Sequence, residues 1–425
     1  MKIKFIQHAS IIIDCGKNKI LCDPWFTGTA FNDGWKSIHD SEVNINDLDF
    51  NYIWFSHEHP DHFSVPDLKK LKRKNIKILY QETIDNKVRD YCINAGFEVI
   101  ELKPFEKTKL DDDLFIINGT DGFDSWLYVK NNGKTLLNLN DCRLDDKEVL
   151  SDVRTKLGKI DTLLTQYGYA CWAGNDGDEK GPKIARKIIK SQLQNQISIL
   201  QPDSIIPYAS FIYFCHEENA YWNKNAITIT EAYEFMSKMH KNIHVLYPND
   251  DYKIGESWDK NKKNIDLYEK DFQNSLNKPK YTSTSYNLSD LEESFQKMVI
   301  KLKTNNDWDS ILDIGLAPAI VRLKDIGITV IFDITSDSLQ VTNLPWDIEM
   351  SSDSLKYMMD FAWGRGTVMI NGRLKAKYNK IDNFWKQTMI YYANNIGKSY
   401  PKTLSKDNVL KNSNFQLELM REWEL

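Results

Sequence analysis

The chain has 425 residues, 41% hydrophobic and 12% aromatic, with a net charge of -5. That length predicts two or three domains, each able to bury a core, and no stretch reaches the roughly 18 apolar residues that span a bilayer. Nothing in the charge balance marks a nucleic-acid binder, because lysine-rich stretches such as 69–77 alternate with apolar residues as a solvated helix face does. Residues 1–30 read as two or three short strands, with 10–14 and 19–23 separated by a Gly-Lys-Asn turn at 16–18. The amino terminus is strand-like and lacks a secretory apolar core. His8 is read as a pocket residue or a histidine bonded within the first sheet, and is left out of the metal set. Asp23 ends the second of these strands, as an ordinary strand-end residue or as an acceptor for a ligand imidazole.

The apolar run 52–55 predicts a buried strand, and 65–71 a helix opening at Pro66. Between them lies Ser-His-Glu-His-Pro-Asp-His-Phe, residues 56–63. His57, His59, Asp61 and His62 place four metal-ligand types within six positions, and three of the chain's eight histidines are among them. Imidazole and carboxylate together suit zinc, iron or manganese, and a loop after a strand is where α/β proteins place their chemistry. A polar turn that happens to be histidine-rich is the blander reading.

Further on, strand-like segments (76–80, 97–102, 114–117) alternate with a helix-like 84–95. A Gly-rich stretch from Asn118 to Asp124 precedes a strand, with Asp121 and Asp124 either functional or turn-forming. Residues 135–142 read as the second strand of a hairpin, with Asp141 at its carboxyl end. Strands are expected at 161–165 and 205–208, a Gly-rich loop at 167–181 and a long basic helix at 182–200. Trp25, Trp126, Trp172 and Tyr167 are read as core or as pocket lining. The six cysteines are scattered, without a Cys-x-x-Cys or Cys-x-His pair, so reduced thiols, a cytoplasmic location and no Rieske cluster on these residues are expected.

The stretch 249–285 is rich in Asn, Lys, Asp, Ser and Tyr, and 251–285 is read as a connector. Residues 286–425 follow as an α+β domain: a helix at 288–303, strands at 329–334 and 346–350, a helix at 354–363 and a strand at 367–374. This order resembles sterol-carrier-like modules.

His-x-His-x-Asp-His resembles the signature of the metallo-β-lactamase superfamily. That resemblance implies a four-layer αββα sandwich over residues 1–250, with the site at the strand ends between two sheets and an α+β C-terminal extension. It also implies a bridging carboxylate at Asp141 and a last histidine ligand at His216. A lone core histidine is the alternative for His216. The superfamily's third histidine is missing, since no histidine lies between 63 and 215, and Asp121 stands in its place as ligand or turn residue. A carboxylate there would shift preference from zinc towards iron or manganese.

The runs Asp124-Ser-Trp, Asn138-Leu-Asn-Asp141-Cys142-Arg143 and 200–209 with His216 resemble the catalytic part of the CMP-N-acetylneuraminic acid hydroxylases, as does the region 350–392 with Asn371-Gly372-Arg373-Leu374. The resemblance implies a non-haem diiron oxygenase acting on a polar, nucleotide-sugar-like small molecule, with electrons from a separate protein. The competing expectation is a hydrolase of an ester, lactone, amide or phosphodiester that uses a metal-bridged hydroxide, with Asp61 or Asp124 managing protons. Both expect two divalent metal ions, iron ahead of zinc or manganese. A metal-stabilised binding protein is the third class. The sequence says nothing about oligomeric state.

Overall fold

A computed structural model describes residues 1–39, 43–169 and 171–410. Seven strands form the first sheet, in the spatial order Asp251–Lys253, Lys2–Gln7, Ser10–Asp14, Lys19–Cys22, Tyr52–Phe55, Lys77–Gln81, Glu98–Leu102. Its first three pairings are antiparallel, and the last three are parallel. A second sheet has six strands, in the order Ser204–Tyr208, Thr162–Gln166, Lys134–Asn138, Asp124–Asn131, Leu114–Asp121, Lys107–Lys109.

Strand periodicity decides what lies where. Ile11, Ile13, Ile20, Cys22, Trp54 and Leu79 of the first sheet share one core with Leu114, Ile116, Leu127, Val129 and Leu136 of the second. The alternate residues Ile12, Leu21, Ile53, Phe55, Ile78 and Tyr80 face outward, under the short helices Val65–Lys70 and Lys87–Asn94. On the far side, Trp126, Tyr128, Leu137 and Leu163 pack under the helix Lys147–Leu157. Helix, sheet, sheet and helix make the expected αββα sandwich.

Two expectations need correction. The stretch 251–285, read as a connector, carries an edge strand of the first sheet and the helix Asn261–Leu276. Its few apolar residues suffice because only one face is buried, with Tyr268 stacked on Phe211 at 4.3 Å. The strand expected at 367–374 is mostly the helix Gly364–Asn371, and only Leu374–Ala376 is extended. Its β-branched run suits a strand, but packing between the helices Ser352–Asp360 and Ile381–Asn395 overrides that preference.

The C-terminal region has a five-stranded sheet, in the order Gln340–Val341, Ile328–Phe332, Ala319–Leu323, Ile348–Met350, Leu374–Ala376. Helix Leu288–Asn305 starts in a capping box between Asn287 and Asp290. Residues 411–425 of the expected C-terminal domain lie outside the described residues. The core of this region is continuous with Trp25, Phe31, Trp35, Trp172, Phe214 and Trp222 of the sandwich. Polar contacts join the two as well: Asn371 donates to the Phe31 carbonyl at 3.0 Å, and Arg373 pairs with Glu218 at 2.8 Å.

Candidate metal centre

The histidine-rich loop leaves the strand Tyr52–Phe55 at Ser56, which is fully buried. Three groups hold that residue. Asp23 accepts from its backbone N–H at 2.8 Å and from its hydroxyl at 2.9 Å. Ser125 and Gln81 donate to its carbonyl at 2.6 and 3.1 Å. Gln81 also donates to the Phe123 carbonyl at 2.6 Å, so it ties the loop to the hairpin turn before Asp124.

Asp23 acts as a hub. It also lies 3.1 Å from Nδ1 of His62 and accepts from the Asn140 amide. His62 is thereby oriented with Nε2 towards Asp141, at 3.1 Å, and towards Asp61, at 3.3 Å. His8, Asp23 and Asn140 all have positive φ (43°, 38° and 52°). Such backbone is costly for residues with a side chain, and it clusters where surrounding structure enforces a functional geometry.

Three sets of donor atoms converge within 4.8 Å of one another: His57, His59 and Asp124; His8, Asp61 and His62; and His57, His62 and Asp141. His57 Nε2 and His59 Nδ1 are 2.8 Å apart, and Asp124 Oδ1 lies 3.6 Å from the same His57 nitrogen. His8 Nε2 lies 3.3 Å from Asp61. Oδ1 of Asp61, Asp124 and Asp141 is buried without a hydrogen-bond partner. Buried carboxylate oxygens without donors are costly, and this donor set fits cations.

Burial, reinforced by His62 and His59, holds the His57 imidazole well below its ordinary pKa. Burial likewise lowers His59. Both favour the neutral form that binds metal. Burial also opposes the charge on His62, but Asp141, Asp61 and Asp23 outweigh it and raise that imidazole well above the usual range. Burial works against ionisation of Asp61, yet His62 and His8 hold its carboxyl well below the ordinary value. Asp124 is pushed well up, by burial and then by Asp141.

The expected residues are therefore partly redistributed. His57, His59, Asp61, His62 and Asp141 come together. Asp121 does not join them: it is exposed at the hairpin turn, and its carboxylate accepts the Leu144 N–H at 3.1 Å. Asp121 and Asp124 are paired across a tight turn, and only Asp124 faces His57. His216 is also elsewhere, 3.7 Å from Glu218 at the contact with the C-terminal region. His8, left out of the metal reading, occupies the second donor group instead. Its signal was a histidine at the turn between two short apolar strands, which by itself is also the pattern of a structural histidine.

A cavity of about 450 Å³ opens beside His59. Trp25, Phe31, Phe63, Tyr91, Tyr357, Trp363 and Tyr392 supply its aromatic walls. The last three belong to the C-terminal region, which thus closes one side. Of the four aromatics weighed from sequence, only Trp25 lines this cavity; Trp126 and Trp172 are core residues, and Tyr167 is a core residue that also lines a separate small cavity with His8.

Residues 2–135 match the family model of the beta-lactamase superfamily domain. The chain is 27% identical over 238 residues to the cytidine monophosphate-N-acetylneuraminic acid hydroxylase of Danio rerio, covering 52% of this chain and 39% of that protein. It is 26% identical over 262 residues to the inactive human counterpart, covering 58% of this chain and 52% of that one. The chain thus spans between about a third and a half of the length of these curated relatives. Among solved structures, CmlA, a diiron beta-hydroxylase from Streptomyces venezuelae, aligns with a TM-score of 0.42 and 12% identity, over 59% of this chain and 54% of that one. An isothiocyanate hydrolase from Delia radicum gut bacteria aligns with a TM-score of 0.42 and 17% identity, over 60% and 98%. The sandwich is a metallo-β-lactamase-like fold, and over about half its length the chain resembles the CMP-N-acetylneuraminic acid hydroxylases.

Proposed function

We propose that this chain is a dinuclear-metal enzyme, and that it is an oxygenase hydroxylating a polar small molecule. One observation carries the reading. The donors divide into two sets of two histidines and one carboxylate, His57, His59 and Asp124 against His8, His62 and Asp61, with Asp141 next to both. Two histidines and a carboxylate with open positions is the pattern of non-haem iron oxygenases. Two irons held there would supply dioxygen chemistry, with electrons from a separate protein.

The chain's own residues have three tasks in this reading. Asp23, Ser56 and Asn140 fix the orientation of His62 and of the loop. The aromatic cavity walls admit a substrate next to His59 and limit water. Asp124 and Asp61 would each hold one metal, and Asp141 lies where it would reach both.

The similarity to hydroxylases supports oxidation, and a nucleotide sugar is the substrate class it suggests. A hydrolase with a metal-bridged hydroxide is the second reading, since the same Asp141 position between the two groups would serve it. Purification without oxygen, followed by metal analysis and dioxygen-uptake measurements with a reductant, tests the choice. Iron and reductant-dependent uptake are expected. Two zinc ions and no uptake would sink the oxygenase reading and leave the hydrolase.

A further inference from the structure

Arg365 lies at the start of the helix Gly364–Asn371, and only 7% of it is exposed. Its guanidinium makes no ion pair among the described residues, and its Nε is buried without a hydrogen-bond partner. Its neighbours are two aromatic faces, Trp385 at 5.4 Å and Tyr392 at 5.3 Å. Such rings compensate only part of the cost of burying a cation. Burial lowers the Arg365 pKa to about 10, which leaves it charged at neutral pH.

Its surroundings adjoin the large cavity. Gly366, Thr367 and Tyr392 line it. A Cβ at Gly366 would stand 3.1 Å from Tyr392 Cε2, so glycine leaves room for the ring beside the guanidinium. The Tyr392 hydroxyl makes no hydrogen bond among the described residues. The cavity's carboxylate, Glu58, is already matched by Lys87 at 2.5 Å and by the Asn395 amide at 2.6 Å. The unmatched charge next to the cavity is therefore the positive one on Arg365.

We propose that Arg365, with the Tyr392 hydroxyl beside it, binds an anionic group of the substrate, a carboxylate or a phosphoryl group, at the cavity wall formed by Gly366, Thr367 and Tyr392. The proposal rests on the reading of this cavity as the substrate site. Guanidinium presents paired N–H donors that match the oxygens of either anion, and the aromatic walls would hold the rest of the molecule.

The test uses the metal-loaded full chain, titrated calorimetrically with inorganic phosphate, acetate and phenyl phosphate, with bound metal counted on the same samples. Saturable binding to the wild type is expected for phosphate or acetate, and whichever binds identifies the anion. Phenyl phosphate should bind more tightly than inorganic phosphate, because its ring meets the aromatic walls. Arg365→Met should weaken binding about tenfold or more, as loss of a charged hydrogen bond does. Gly366→Ala, which pushes the Tyr392 ring without touching any charge, should weaken it several-fold and covers the case in which Arg365→Met does not fold. Metal content should stay unchanged in both. Wild-type affinity in both variants, or no saturable binding of any probe to the wild type, overturns the proposal. Phenyl phosphate binding no tighter than phosphate overturns it too, since the site would then take a free anion. Loss of metal in the wild type would instead strike at the enzyme reading, and is read separately.

Discussion

Asp121 and Asp124 lie three residues apart and have different tasks. A tight hairpin turn sends Asp124 towards His57 and leaves Asp121 exposed, on the Leu144 N–H. Asp124→Ala is expected to lose about one metal per chain, whereas Asp121→Ala should keep the wild-type content, by elemental analysis. Asp23→Asn should lower metal affinity by about tenfold to a hundredfold, measured by chelator competition, because it weakens the acceptor that orients His62. Single residues were readable from sequence where ligands are close in the chain. His57, His59, Asp61 and His62 share one loop and needed no tertiary information. Asp141 was readable through the family resemblance, which implies a bridging carboxylate at the end of that strand. His8 and Asp124 were not separable from His216 and Asp121, because which of two side chains turns inward depends on backbone geometry at single residues.

The elements that join the two regions carry a second set of expectations. Gly34 packs against the helix Gly364–Asn371, and a Cβ there would fall 2.4 Å from the Asn371 Cβ. Gly34→Ala should therefore cost about 1–3 kcal/mol, the usual range for overpacking, read as a lower denaturation midpoint. Glu218 bonds Arg373 and Lys324 across the same contact. Although burial opposes its charge, Arg373 and Lys324 lower its pKa to about 2. Burial and Arg373 lower His216 to about 4, against the pull of Glu218, Asp353 and Asp33. Both folded pKa values are depressed, so the unfolded chain binds more protons and stability falls as pH falls. His216 gives up its share as pH drops from about 6.5 towards about 4, and Glu218 its share from about 4.5 towards about 2. Glu218→Gln should flatten the lower part of that decline and destabilise the protein by about 3–5 kcal/mol at neutral pH, in urea titrations at a series of pH values. The strands were legible as short apolar runs bounded by turn residues, because most of them are buried on both faces. The helix Gly364–Asn371 was not, because packing outweighed its β-branched run.

Across the whole molecule, one apolar core runs from Trp25, Phe31 and Trp35 into the C-terminal region, and the cavity beside His59 is closed by residues from both. Heating should therefore unfold the described parts in a single calorimetric transition, and chelation of metal should lower its midpoint. Two separable transitions would show that the shared core does not couple the regions. The sequence predicted both parts but not their contact, since the residues that meet, such as Gly34 with Asn371, are more than 300 positions apart. The two-metal centre is tested most sharply by counting metal per chain in the wild type, His8→Ala and His216→Ala. About two are expected in the wild type, about one in His8→Ala and about two in His216→Ala. Full metal content in His8→Ala together with loss in His216→Ala would contradict that assignment of ligands.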